Sequence, residues 1–172
     1  MSKFLLTGLI LLAMSNVTYA TDANGLFSIY LVRHAEKDAG PGAPDDPALS
    51  VCGKLRAQAL ATTLSGIDLK TVYSTPYVRT LDTAAPTAGS HQLEIQEYDP
   101  SALEAFAGVL LDRGQEALVV GHSNTTAVLA GLLAGVPGEE FDEDEYDRLY
   151  QVVIAGSERR LYLMHQAFSC DT

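Results

Sequence analysis

Positive charge is scarce in this chain. Its 172 residues carry 11 Lys and Arg against 22 Asp and Glu, a formal net charge of −11. A nucleic-acid binder needs a net basic face to displace counterions from phosphates, so the balance argues against nucleic acid and against anionic membranes as partners. Cysteine is almost absent. Cys52 and Cys170 are the only two, and without a CxxC pair or a Cys/His cluster they argue against a structural zinc site. Beyond residue 20 no apolar run approaches the roughly 20 residues that span a bilayer, so no stable membrane insertion is expected of the processed chain. Repeats are missing, and the only biased tract is residues 38–49, rich in Gly, Pro and Asp. What remains is 47% hydrophobic and 19% charged, the composition of one globular domain with one core.

The first twenty residues read as an address. Lys3 is a short positive n-region, Phe4 to Met14 is an almost unbroken apolar run, and Thr18 and Ala20 stand at −3 and −1 of a small-residue cleavage site. The expectation is a signal peptide over residues 1–20 and one domain over 21–172, exported to the periplasm or secreted. An uncleaved anchor or a buried first helix is the alternative. In an oxidising compartment Cys52 and Cys170 could close one disulfide, worth about 4–5 kcal/mol in the loop-entropy account. Two separate thiols are equally compatible with the sequence.

The domain alternates strand-like and helix-like segments. Phe27 to Val32, Thr71 to Tyr73, Leu93 to Ile95, Ala117 to Val120, Tyr150 to Ile154 and Leu161 to Met164 read as strands. Helices are expected over Val51 to Leu64, capped by Ser50, over Val78 to Ala85, over Ser101 to Asp112, ended by Gly114, and again after Asn124. This alternation predicts an α/β fold, a three-layer sandwich around a mostly parallel sheet. The run Glu139 to Glu145 lacks calcium-loop spacing and reads as a solvated acidic loop.

In such sheets ligands bind beyond the carboxyl ends of the strands. Three expected strands deliver polar groups there: Arg33-His34 after the first, Ser74-Thr75-Pro76 and then Arg79 after the second, and Gly121-His122 after the strand at 117–120. Arginine forks match phosphate oxygens, and helix N-termini near Pro76 and Asn124 would add free N–H groups. Two histidines and two arginines on one rim suggest a local phosphate pocket in an otherwise acidic chain. Satisfied core histidines and surface ion pairs are the bland alternative.

Four strings carry a resemblance. Leu31-Val32-Arg33-His34-Ala35-Glu36-Lys37 resembles the Arg-His-Gly signature of the histidine phosphatase superfamily, the phosphoglycerate-mutase-like proteins. Asp46-Pro47-Ala48-Leu49-Ser50 with Gly53 and Arg56-Ala57 is similar to the family's helix start. Tyr73-Ser74-Thr75-Pro76 with Arg79-Thr80 and Thr83-Ala84 is similar to its "S-S-P-x-x-R-T-x-x-T-A" segment. Val119-Val120-Gly121-His122-Ser123-Asn124 is similar to its second-histidine motif. The four occur in the family's order over about residues 27–165.

The resemblance implies a phosphoglycerate-mutase-like sandwich in which His34 is the nucleophile and becomes phosphorylated. Arg33, Arg79 and His122 would bind the phosphoryl group, with no metal and no cofactor. Two departures stand out. Ala35 replaces the signature glycine, and the family's acid motifs are missing, since Ser123 rather than Asp follows His122. Asp99, just before Pro100, is the candidate proton donor, with Glu97 as alternative and a solvated turn as the competing account of both.

The expected function is a metal-independent phosphatase acting on a small phosphorylated substrate, a phosphomonoester, through a phosphohistidine. A non-catalytic phosphate-binding or interaction protein on the same scaffold, or a phosphoglycerate-mutase-type phosphotransferase, is the alternative. Nothing in the pattern specifies an oligomeric state.

Overall fold

Seven consecutive residues, Phe27–Arg33 (β1), are buried along their whole length, and that fixes where they lie. A strand apolar on both faces belongs in the middle of a sheet covered on both sides. The computed structural model, which describes residues 25–139 and 141–170, places it there. The proposed leader, residues 1–20, lies outside the described residues.

The chain continues through α1 (Val51–Leu64), β2 (Thr71–Ser74), α2 (Val78–Ser90), β3 (Ile95–Glu97), α3 (Leu103–Arg113), β4 (Ala117–Gly121), α4 (Ser123–Ala134), β5 (Arg148–Ala155) and β6 (Glu158–His165). The strands form one sheet in the order β3-β2-β4-β1-β5-β6. β3, β2, β4 and β1 run parallel, while β5 and β6 are antiparallel additions. The α/β sandwich expected from the sequence is therefore present.

Alternation along the strands divides the core in two. Phe27, Ile29, Leu31, Ala117 and Val119 pack with Leu103, Phe106 and Leu129 on the α3/α4 face. Tyr30, Val32, Leu118 and Val120 pack with Leu60, Leu64 and Ala84 on the α1/α2 face. Among the described residues no helix is long and apolar enough to cross a membrane.

Local departures from the sequence expectations have physical reasons. α2 runs through Pro86 to Ser90, because Ala84, Thr87 and Ala88 are buried and their packing outweighs the lost backbone hydrogen bond. β3 starts at Ile95 rather than Leu93, since the Leu93 amide still donates to Ala88 O (2.9 Å) and Gln92 takes a positive φ of 56°. α3 starts at Leu103 because Ser101 is spent on Asp99 (below). Ser50 caps α1 as read, accepting from the Gly53 amide at 3.0 Å. Gly53 itself is obligatory, because a Cβ there would lie 2.1 Å from the Glu36 carbonyl oxygen. Cys52, in the first turn of α1, is joined to Cys170 with Cα atoms 5.8 Å apart, within the normal range.

Candidate active site

β2, β4 and β1 are neighbours and parallel, so their carboxyl ends share one rim. The register pairs Arg33 with Gly121, and the His34 amide donates to Gly121 O at 2.9 Å. His34 and His122, each the next residue along, therefore face one another with ring centroids 5.6 Å apart. A Cβ at Gly121 would meet the Tyr98 hydroxyl at 2.7 Å, so a larger residue there would push the buried Tyr98 ring aside.

His34 is buried. Its Nδ1 lies 2.8 Å from the carbonyl oxygen of Ala35. A carbonyl only accepts, so Nδ1 carries the proton and Nε2 keeps its lone pair. Burial above all, with the charges of Arg33 and Arg79 adding to it against the opposing pull of that carbonyl, lowers the pKa to about 3. The ring is neutral at physiological pH. The sequence had left this acceptor unnamed, because a backbone carbonyl has no residue-type signal.

His122 precedes α4. Its Nε2 meets the Thr75 hydroxyl at 2.9 Å, and that hydroxyl meets Thr80 Oγ1 at 2.9 Å. The Tyr77 ring stands edge-on to it at 5.0 Å. Burial first, then Arg79 and Arg33, lower its pKa to about 4. Thr75 and Thr80 both lie in the strings singled out in the sequence, and the structure gives them a role there.

The two guanidinium groups are held differently. Arg79, at the start of α2, donates from Nη1 to Asp46 at 3.0 Å, and Asp46 also accepts the Val78 amide at 3.0 Å. Arg33 is only 2% exposed. Its Nη1 reaches the carbonyl oxygens of Asp142, Glu143 and Glu145 at 3.4, 2.6 and 3.2 Å, and its Nη2 pairs with the Glu143 carboxylate at 2.8 Å. Tyr146 covers it at 4.3 Å. The Nε–H groups of Arg33 and Arg79 are buried with no protein acceptor among the described residues, an unusual state for a charged donor.

His34, Arg79 and His122 line a cleft of about 600 Å³ together with Lys37, Tyr77, Pro100, Ser101, Ser123, Asn124, Thr125 and Glu143. Arg33 sits behind it, under the loop that follows α4. Asp99 is outside this lining. Its carboxylate is exposed and accepts the Ser101 amide and hydroxyl at 2.8 and 2.7 Å, contacts that lower its pKa and make it a turn-former in this structure. Glu97, in β3, is exposed and also outside the lining. The solvated-loop reading of the acidic run needs amending as well. Glu143 is mostly exposed, yet it is bound to Arg33 and to the Ser123 hydroxyl. No local pattern announces a contact between residues 110 positions apart.

Residues 29–110 match the family model of the histidine phosphatase superfamily (branch 1). A 2,3-bisphosphoglycerate-dependent phosphoglycerate mutase of Thermoplasma acidophilum is 29% identical over 129 residues, which cover 72% of this chain and 61% of that protein. The chain thus spans less than two thirds of that curated relative. The fold is similar to that of the alpha-ribazole phosphatase from Shigella flexneri (TM-score 0.67, 17% identity, 84% of this chain and all of that one). It is also similar to the protein histidine phosphatase SixA complexed with tungstate (TM-score 0.66, 17% identity, 81% and 97%). A third likeness is to a phosphoserine phosphatase from Entamoeba histolytica in complex with 3-phosphoglyceric acid (TM-score 0.61, 15% identity, 80% and 96%).

Proposed function

With the match of residues 29–110 to the histidine phosphatase superfamily as the premise, we propose that this chain hydrolyses phosphomonoesters through a covalent intermediate on His34. The observation that carries the reading is the Nδ1 contact of His34 with Ala35 O, which leaves a neutral imidazole with its Nε2 lone pair free. A protonated ring could not attack.

Nε2 attacks phosphorus in line, and the bond to the leaving oxygen breaks with its electron pair on that oxygen. His34 is then a phosphorylated imidazolium whose Nδ1–H still donates to the Ala35 carbonyl oxygen. Water next attacks phosphorus and gives up a proton, the N–P bond breaks, and its electron pair returns to Nε2. Arg33, Arg79 and His122 hold the equatorial oxygens, over which the charge is spread in both transition states.

Glu143 is the one carboxylate lining the cleft among the described residues, and the Ser123 hydroxyl above all keeps it ionised. Without a protonated acid, substrates that leave as stable anions or weak bases are favoured over simple alkyl phosphates. This supports a phosphatase over a mutase, whose leaving group is an alkoxide. The Cys52–Cys170 bridge and the leader-like residues 1–20 support an exported protein, and an intact mass beginning after Ala20 checks that part.

An N–P bond is labile in acid and survives alkali. Brief reaction with labelled substrate and an alkaline quench should leave the label on the His34 peptide. Label on Ser74 or Ser123 instead would overturn the assignment.

A further inference from the structure

The loop after α4 places a carboxylate on the arginine that a phosphoryl group would use. Glu143 Oε2 pairs with Arg33 Nη2 at 2.8 Å, and its Oε1 accepts the Ser123 hydroxyl at the first residue of α4. Its side chain is otherwise 77% exposed, so nothing but these two contacts holds it. The main chain of the same loop is anchored independently, by three carbonyl oxygens on Arg33 Nη1. The side chain can therefore leave while the loop stays in place.

We propose that Glu143 is an intramolecular competitor for the anion site, displaced when a phosphoryl group binds and restored when phosphate leaves. The proposal rests on the phosphatase reading, because it concerns the same arginine. A carboxylate and a phosphate offer the same fork of oxygens to a guanidinium, so they exclude one another on Nη2. Arg33 is buried but the Glu143 carboxylate is open to solvent, so it can exchange for an incoming anion without uncovering the guanidinium. The chemical consequence is on both sides of turnover. Substrate must displace Glu143, which raises KM. Product phosphate is driven off by the returning carboxylate, which relieves product inhibition.

Glu143→Gln tests this, since the amide keeps the shape and the Ser123 contact while losing the charge. Inorganic phosphate is the probe, titrated calorimetrically at pH 8 and also used as an inhibitor of p-nitrophenyl phosphate hydrolysis. Phosphate binding and inhibition should both tighten in the variant, on the order of fivefold, with KM falling in parallel. Glu143→Ala should tighten phosphate at least as much. Unchanged or weaker phosphate binding in either variant overturns the proposal. So does an unchanged phosphate affinity with selective loss of alkyl-phosphate turnover, which would make Glu143 a proton donor. Wild-type turnover without tightening sinks the competition alone, whereas no turnover and no phosphate binding in any of the three proteins sinks the phosphatase reading and this inference with it.

Discussion

Arg56 grips Glu36 through three contacts, from Nε to both carboxylate oxygens at 2.8 and 3.0 Å and from Nη2 to one of them at 2.6 Å. Glu36 lies two residues beyond His34, so α1 holds the end of the strand that presents this histidine to the cleft. The same guanidinium donates from Nη1 to Phe168 O at 3.1 Å and lies over the Phe168 ring, binding the C-terminal segment to the site's foundation.

Removing one partner of a buried pair strands the other charge. Arg56→Met should lower unfolding free energy by about 3 kcal/mol, measured by urea denaturation. The exposed Lys70–Asp68 pair is the control, and Lys70→Met should change stability by less than about 1 kcal/mol. Equal effects would mean that Arg56 is bearing no more than a surface charge.

Stability should fall as the solution is acidified through the histidine range. His34 and His122 have folded-state pKa values depressed to about 3 and about 4, below the ordinary value of 6.5. Between those limits the unfolded chain takes up protons that the folded chain refuses, so acid favours unfolding. The loss begins near pH 6.5 and is complete only below about 3 to 4. His34→Ala should flatten the slope of stability against pH in thermal melts. An unchanged slope would show that the ring titrates normally.

Asp99→Asn should leave the hydrolysis of alkyl and aryl phosphates alike, because Asp99 holds Ser101 and does not line the cleft. The wild-type protein should itself prefer p-nitrophenyl phosphate, whose leaving anion needs no proton. A variant selectively impaired on alkyl phosphates would restore Asp99 as the acid.

His122→Ala should slow turnover by roughly 10²- to 10³-fold, the usual effect of removing one preorganised donor. His91→Ala serves as the comparison. His91 bonds Thr87 O and Ile67 O at 3.0 Å each, at the end of α2 and away from the cleft, so turnover per folded molecule should persist. Similar losses in both variants would point to damaged folding.

The rim of the sheet was legible because strand ends carry their residues with them. Once Val32 and Val120 are recognised as strand, Arg33-His34 and Gly121-His122 must emerge side by side. Ser50 and Gly114 ended helices as their chemistry demands. What stayed hidden were contacts made by backbone atoms or across long separations. The Ala35 carbonyl on His34 is a backbone acceptor, and the carbonyls of Asp142, Glu143 and Glu145 on Arg33 look, in sequence, like ordinary acidic loop. Asp99 was ambiguous, because a carboxylate before a proline and a helix reads equally well as an acid or as a turn.

The central position of β1 has a consequence for the order in which the molecule can assemble. Ile29 pairs with Ala117 on one side and with Val152 on the other. Both partners are synthesised long after Phe27–Arg33 has left the ribosome, an interval of roughly 5–20 s at ordinary elongation rates. Until then this fully buried strand has no edge to join. Vectorial folding from the N-terminus is therefore barred by topology, and the middle of the sheet closes only when nearly the whole domain is available.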